Sequence, residues 1–126
     1  MRVLWQEARD RIHQALAKAG YDDIRAEHLA VLQYPGPDGE RPSTLAARAR
    51  MSRQAINHLI GHLERAGYLE RRAEGNARVV RLTPRGRKVI RRIEAAVAEL
   101  EREWASDVGA RRMDELRATV TQLSQR

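Results

Sequence analysis

Cysteine and phenylalanine are absent from this sequence, and lysine nearly so. Without cysteine, disulfides, thiolate zinc sites and thiol redox sensing are excluded. The aromatic residues are only Trp5, Tyr21, Tyr34, Tyr68 and Trp104. Proteins that hold single-stranded nucleic acid stack its bases on several aromatic rings, so a duplex suits this chain better than a single strand. No apolar run approaches the ~20 residues of a membrane span. The opening MRVLWQEARD reaches charge at once and has no apolar core of a signal peptide. The expected location is the cytoplasm, with no membrane partner.

What is present is positive charge. The chain has 126 residues, the length of one domain, and a formal net charge of +7. Such a balance favours a polyanionic partner, either nucleic acid or an acidic membrane surface. Only Lys18 and Lys88 are lysines; the other cations are arginines. Arginine grips phosphate and guanine edges with two parallel hydrogen bonds, which lysine cannot do. Genomic base composition enriches arginine as well.

Apolar residues recur at helical spacing from Val3 to Ala19 (Leu4, Ala8, Ile12, Leu16), and Gly20 ends that helix. Asp22 and Asp23 are suited to cap a second helix, which carries Leu29 and Leu32 and stops at Tyr34-Pro35. PGPDGERP, from Pro35 to Pro42, is a loop with a short extended piece around Glu40 and Arg41. Ser43 suits an N-cap for a short helix over Thr44 to Ala49. Arg50 and Met51 turn, Ser52 caps again, and a longer helix runs to about Ala66, with Gly67 as its stop. Ile56, Leu59, Ile60 and Leu63 form its apolar stripe. From Tyr68 the period changes. YLERRAE and RVVRLT flank Gly75-Asn76, a two-residue hairpin turn. Thr83 caps and Pro84 begins a long helix to about Ser106, with a seam of Val89, Ile93, Val97, Leu100 and Trp104. Asp107 to Gly109 break it. A last helix carries Met113, Leu116, Val120 and Leu123.

Short helix, turn, longer helix, hairpin is the order of a helix-turn-helix with a β-wing. If the apolar stripe fixes the longer helix, Gln54, His58, Gly61 and Arg65 point outward, flanked by Arg53 and Asn57. Side chains at the leading end of such a helix meet base edges when it enters the major groove. Arginine pairs with guanine, and glutamine or asparagine with adenine. Arg53, Gln54, Asn57 and His58 are therefore the base-reading candidates. Ser43, Thr44, Ser52, Arg71, Arg72, Asn76 and Arg78 are the candidates for phosphate and wing contacts. Gly61 costs ~1 kcal/mol relative to alanine in mid-helix; close approach to DNA or tight packing would each explain it.

STLAARARMSRQAINHLIGHLERAGYLERR followed by ARVVRLTPRGRKVI resembles the multiple-antibiotic-resistance regulator (MarR) family of bacterial transcription factors. The likeness spans roughly Asp23 to Ile90, and LAARARMS, LERAGYLERR and VRLTPRG are its most specific parts. It implies a mainly α fold: a winged helix-turn-helix lobe over residues 23–83 and a helical dimerisation platform from 1–22 and 84–126. It also implies a homodimer on a palindromic operator, a repressor role, and, in many members, release of DNA by a small phenolic or anionic ligand. Two positions depart from the family pattern. Glu74-Gly75-Asn76 stand where the family carries Asp-x-Arg, on a shorter hairpin, so the wing-tip arginine of the minor groove is missing. Arg72 and Arg78 are the available substitutes. Gly61-His62 stand where an Asp-Arg or Asp-Lys pair is usual, so an internal salt bridge is lost.

Other groupings weigh less. His58 and His62 have a spacing that can hold zinc, but Leu59 and Ile60 fill the gap where an HExxH glutamate would stand, and no cysteine can complete the site; they read as solvent- or DNA-facing, and no metal or cofactor is expected. Arg85, Arg87, Lys88, Arg91 and Arg92 form a basic run that reads first as a solvated face. The apolar seams of the first and last two helices exceed what one small chain buries within itself, which favours a second copy. Trp5, His13, Tyr21, His28 and Tyr34 lie on segments that line the effector cleft of relatives, and no effector site is assigned to them. No glycine-rich phosphate loop or nucleophile set is present, so an enzyme is not expected. The competing readings are a winged-helix module that binds an acidic protein and an architectural DNA binder indifferent to sequence.

Overall fold

The computed structural model describes residues 2–33, 35–36 and 38–126. Its elements are α1 (Arg2–Lys18), α2 (Ala26–Leu32), α3 (Pro42–Ala49), α4 (Arg53–Arg65), β1 (Leu69–Glu74), β2 (Ala77–Leu82), α5 (Pro84–Val108) and α6 (Ala110–Ser124). The fold is mainly α with one antiparallel hairpin, a winged helix-turn-helix flanked by helices. The stop of α2 expected at Tyr34 falls on a residue outside the described ones.

Helix α4 organises the lobe. Ser52 caps it, its Oγ accepting the Ala55 N–H at 3.1 Å. Ile56, Leu59, Ile60 and Leu63 are all buried, packed with Val31, Leu32, Leu45 and Ala46 from α2 and α3. The tight turn before α4 comes from Arg50, which adopts a left-handed φ of 54° and lets the Met51 N–H reach the Ala46 carbonyl at 2.9 Å.

Two caps differ from the sequence expectation. Neither Asp22 nor Asp23 caps α2; Arg25 holds the N-cap position, and its N–H is taken by Nδ1 of His28 at 2.9 Å. Asp23 is engaged elsewhere, accepting the Tyr68 hydroxyl at 2.5 Å. Ser43 lies inside α3, which begins at Pro42 with Arg41 as N-cap. Proline suits the first helical position because its missing N–H would have no partner there, and this moves the start ahead of the serine.

The hairpin turns at Gly75-Asn76 with Glu74 opposite Ala77 and Leu69 opposite Leu82. The extended piece expected near Glu40 adds one rung: Glu40 and Val80 exchange both backbone hydrogen bonds, at 2.9 and 2.7 Å. Gly39 permits this approach, with φ +87°; a β-carbon there would meet Arg81 Cγ at 2.7 Å. Thr83 caps α5 through the Gly86 N–H at 3.0 Å. Helix α1 lies against α5, joined by an Arg11–Glu103 ion pair. Gly109, at φ +92°, turns the chain into α6, and Arg117 ties α6 back to Glu101 of α5 at 3.1 Å.

Candidate nucleic-acid interface

With the stripe of α4 buried, its leading end projects. Arg53, Gln54 and His58 are exposed and Asn57 is half-buried. The four do not form one patch. They form two rows on either side of the helix crest. Arg53 and Asn57 face a groove of about 650 Å³ between the starts of α3 and α4 and the hairpin; Ser43, Arg71, Asn76 and Arg78 line the same groove. Gln54 and His58 face a second concavity of about 580 Å³, with Ser52, Met51 and Glu27. Half-buried Thr44 and exposed Arg72 line neither groove.

The wing-side groove is positive. Arg53 and Arg78 have no carboxylate partner among the described residues, while Arg71 pairs with Glu64 at 3.5 Å. Glu74 in the same groove is offset by Arg81 at 3.6 Å. Arg41, which the sequence reading placed in the extended piece, lines this groove as well. The signal that could have found it is Pro42: proline at the first position of α3 sets Arg41 at its N-cap. Arg72 pairs loosely with Glu70 at 3.6 Å. An anion approaching the groove meets several guanidinium groups, which suit phosphate oxygens.

Gly61 is not there for packing. A β-carbon at that position would meet only the far end of Arg65, at 3.3 Å. His62, expected to face solvent or DNA, is half-buried. Its ring stacks on that of His28 with centroids 4.4 Å apart and planes 3° from parallel. Among the described residues, no three histidine or carboxylate side chains gather as metal ligands.

A second cluster fixes the hairpin to the rest of the lobe. Tyr68, fully buried, donates to Asp23 and accepts from Arg85 at 3.1 Å. Burial, then the bond to Asp23, pushes its phenol up to about 12. The Arg85 guanidinium also lies over the rings of Tyr21 and Tyr68, at 5.2 and 4.8 Å. Arg87 donates to the Leu82 carbonyl at 3.1 Å. Two members of the basic run are therefore structural ties, although all five are exposed.

Between α1, α2 and α5 lies a mainly apolar cleft of about 610 Å³, lined by Trp5, Ile12, Leu29, Ile90 and Val97, with Arg9 beside them. Of the residues singled out above, Trp5 is the only described one that lines it. His13, Tyr21 and His28 do not, and Tyr34 lies outside the described residues.

Neither a family model nor a curated protein matches this sequence. Solved structures do match. MepR, a transcription regulator of the Staphylococcus aureus multidrug efflux pump MepA, aligns over 98% of this chain and 93% of its own, at 20% identity and a TM-score of 0.73. A MarR-family regulator from Rhodococcus sp. RHA1 aligns over 97% and 87%, at 18% identity and a TM-score of 0.74. YusO from Bacillus subtilis aligns over 98% and 89%, at 17% identity and a TM-score of 0.72. The chain has the MarR fold. Within that group, a MepR mutant is known bound to an oligodeoxyribonucleotide and MepR bound to ethidium bromide. In the MarR fold of this chain, no helix among the described residues is long and apolar enough to cross a membrane.

Proposed function

We propose that this protein is a sequence-specific, double-stranded DNA-binding transcription regulator that acts as a homodimeric repressor on a palindromic operator. The observation that carries the reading is the anchoring of α4. Its buried stripe and Ser52 cap hold Arg53, Gln54, Asn57 and His58 outward, beside an arginine-lined groove that continues onto the hairpin. Guanidinium, amide and imidazole groups held on a rigid helix are what base edges in a major groove require. Ser43, Ser52, Arg71, Asn76 and Arg78 line the flanking grooves and are assigned to phosphate, with Thr44 and Arg72 nearby. The hairpin ends in Glu74 rather than arginine, so the wing is assigned to phosphate and not to the minor groove.

Pairing is supported by apolar side chains left exposed on the platform helices. Val3, Leu4 and Trp5 on α1 and Leu116, Val120 and Leu123 on α6 are all more than 40% exposed. A second copy covering them sets two α4 helices on one duplex, with half-sites ~10 bp apart. The apolar cleft beside Trp5 is assigned to an effector, with Arg9 available to an anionic or phenolic group. The reading leaves the protein no catalytic role.

The test is competition binding. Duplexes selected from a random pool are compared with random duplexes across a salt titration. A base-reading regulator binds the selected duplex ~10³-fold or more tighter than random DNA. Equal affinity means an architectural binder, and no duplex binding means a protein-interaction module.

A further inference from the structure

The least expected contact in the lobe joins two histidines that are far apart in sequence. His28 lies on the first turn of α2 and is 3% exposed. His62, on α4, covers it with a parallel ring at 4.4 Å. Nδ1 of His28 accepts the Arg25 N–H, which assigns that nitrogen as the unprotonated one. Nε2 of His62 lies 3.4 Å from the carbonyl oxygen of Asp23. The stack therefore joins α4 to α2 and to the loop ahead of it.

We propose that the His28–His62 stack is an acid-opened latch between α2 and the helix that presents Arg53, Gln54, Asn57 and His58. A proton added to neutral His28 goes onto Nδ1. It converts an acceptor into a donor that confronts the Arg25 N–H, so the hydrogen bond at the start of α2 is lost. The charge so made is buried beneath another imidazole. The new cation faces the His62 ring at the stacking distance. Asp23 and Glu27 favour the cation on His28, whereas Arg25 and His62 oppose it. Burial is the larger cause holding His28 below its ordinary value, and His62 is the next. Because the native value is depressed, the unfolded chain takes up this proton more readily. The stabilisation is complete above about pH 6.5 and is lost as pH falls through the native value. His62 stands in the last turn of α4, one turn beyond His58, so opening frees the inner side of α4 at its C-terminal end. The consequence for DNA rests on the function proposed above; the latch itself does not.

His28→Gln tests this. Glutamine at the third helical position accepts the N-cap N–H as His28 does, and it takes up no proton. Imidazole proton–nitrogen spectra and urea midpoints are measured without DNA from about pH 7.5 to about pH 5. Affinity is measured over the same span for a fluorescent duplex selected from a random pool at about pH 7.5. In the wild type, His28 Nδ1 gains its proton on the acid side of free imidazole, and the urea midpoint falls with it. Duplex affinity falls ~10-fold or more across the span in the wild type and ~2-fold or less in His28→Gln. A His28 that titrates like free imidazole, or the same acid loss in both proteins, overturns the proposal. If no duplex binds at any pH, the DNA-binding reading fails, and the spectra and midpoints alone decide the latch. Should His28→Gln not fold, His62→Gln removes the ring that covers His28 and opposes its cation. It is expected to move the His28 titration upward, and an unmoved titration overturns the latch.

Discussion

The carbonyl oxygen of Tyr68 occupies the space where Gly86 would carry a side chain: a β-carbon built there lies 2.1 Å from it. The first turn of α5 therefore rests directly on the backbone at the corner between α4 and β1. Thr83 secures the same corner, donating its hydroxyl to Gly67 at 2.5 Å and its N–H to Tyr68 at 3.1 Å. Gly86→Ala should destabilise the protein by about 2–4 kcal/mol, although alanine is the better helix former by ~1 kcal/mol. Urea unfolding checks this; an unchanged or raised midpoint would mean that the corner gives way freely.

Tyr68→Phe deletes the hydroxyl that serves Asp23 and Arg85. The expected loss at neutral pH is about 1–2 kcal/mol. With the native phenol pushed up to about 12, the folded chain keeps a proton that the unfolded chain releases near pH 10. Its contribution is complete below the unfolded value and is lost as pH rises through the native one. Stability of the wild type should fall more steeply than that of Tyr68→Phe on the alkaline side. Parallel alkaline curves would refute the assignment.

Gln54→Ala and Arg78→Ala should fail differently. Loss of Gln54 relaxes preference at one base position, by about 1–3 kcal/mol of discrimination. Loss of Arg78 weakens all duplexes alike and lowers the salt slope by ~1. The two-row geometry adds a further expectation: Gln54 and His58 changes affect neighbouring base positions, distinct from those affected by Arg53 and Asn57. Equal effects of Gln54→Ala and Arg78→Ala on every sequence would contradict these roles.

Val120→Asp places a charge in the middle of the exposed α6 stripe. Sedimentation of the wild type should give twice the 14.4 kDa chain mass, and the variant should shift toward the monomer with its far-ultraviolet spectrum retained. A wild type that sediments as a monomer would remove the palindrome from the reading.

How much of this could be read from the sequence depended on the range of the contacts. The α4 stripe, the Ser52 and Thr83 caps and the Gly75-Asn76 turn are local, and each was legible from spacing and residue type. The rung between Glu40 and Val80 was only half legible: the extended character showed, but its partner lies forty residues on. Asp23 looked like a cap because aspartate often is one; Tyr68 claims it across 45 residues, which no local pattern reveals. Ser43 lost its cap to Pro42, a competition between two good starts one residue apart. The His28–His62 stack left no sequence signal, since each ring alone resembles an ordinary polar position. The base-facing residues were legible as a set, but their division into two rows required the wing and the α3–α4 turn to be in place.

The insertion of α4 into a major groove is tested most directly by methylating guanine N7 in a selected duplex before binding. That atom lies in the major groove, on the edge that arginine reads. Modification within the half-sites should abolish binding, while adenine N3 methylation in the minor groove, where this short wing carries no tip arginine, should leave it intact. Binding that ignores N7 methylation but is lost on N3 methylation would contradict the placement of Arg53, Gln54, Asn57 and His58 against base edges.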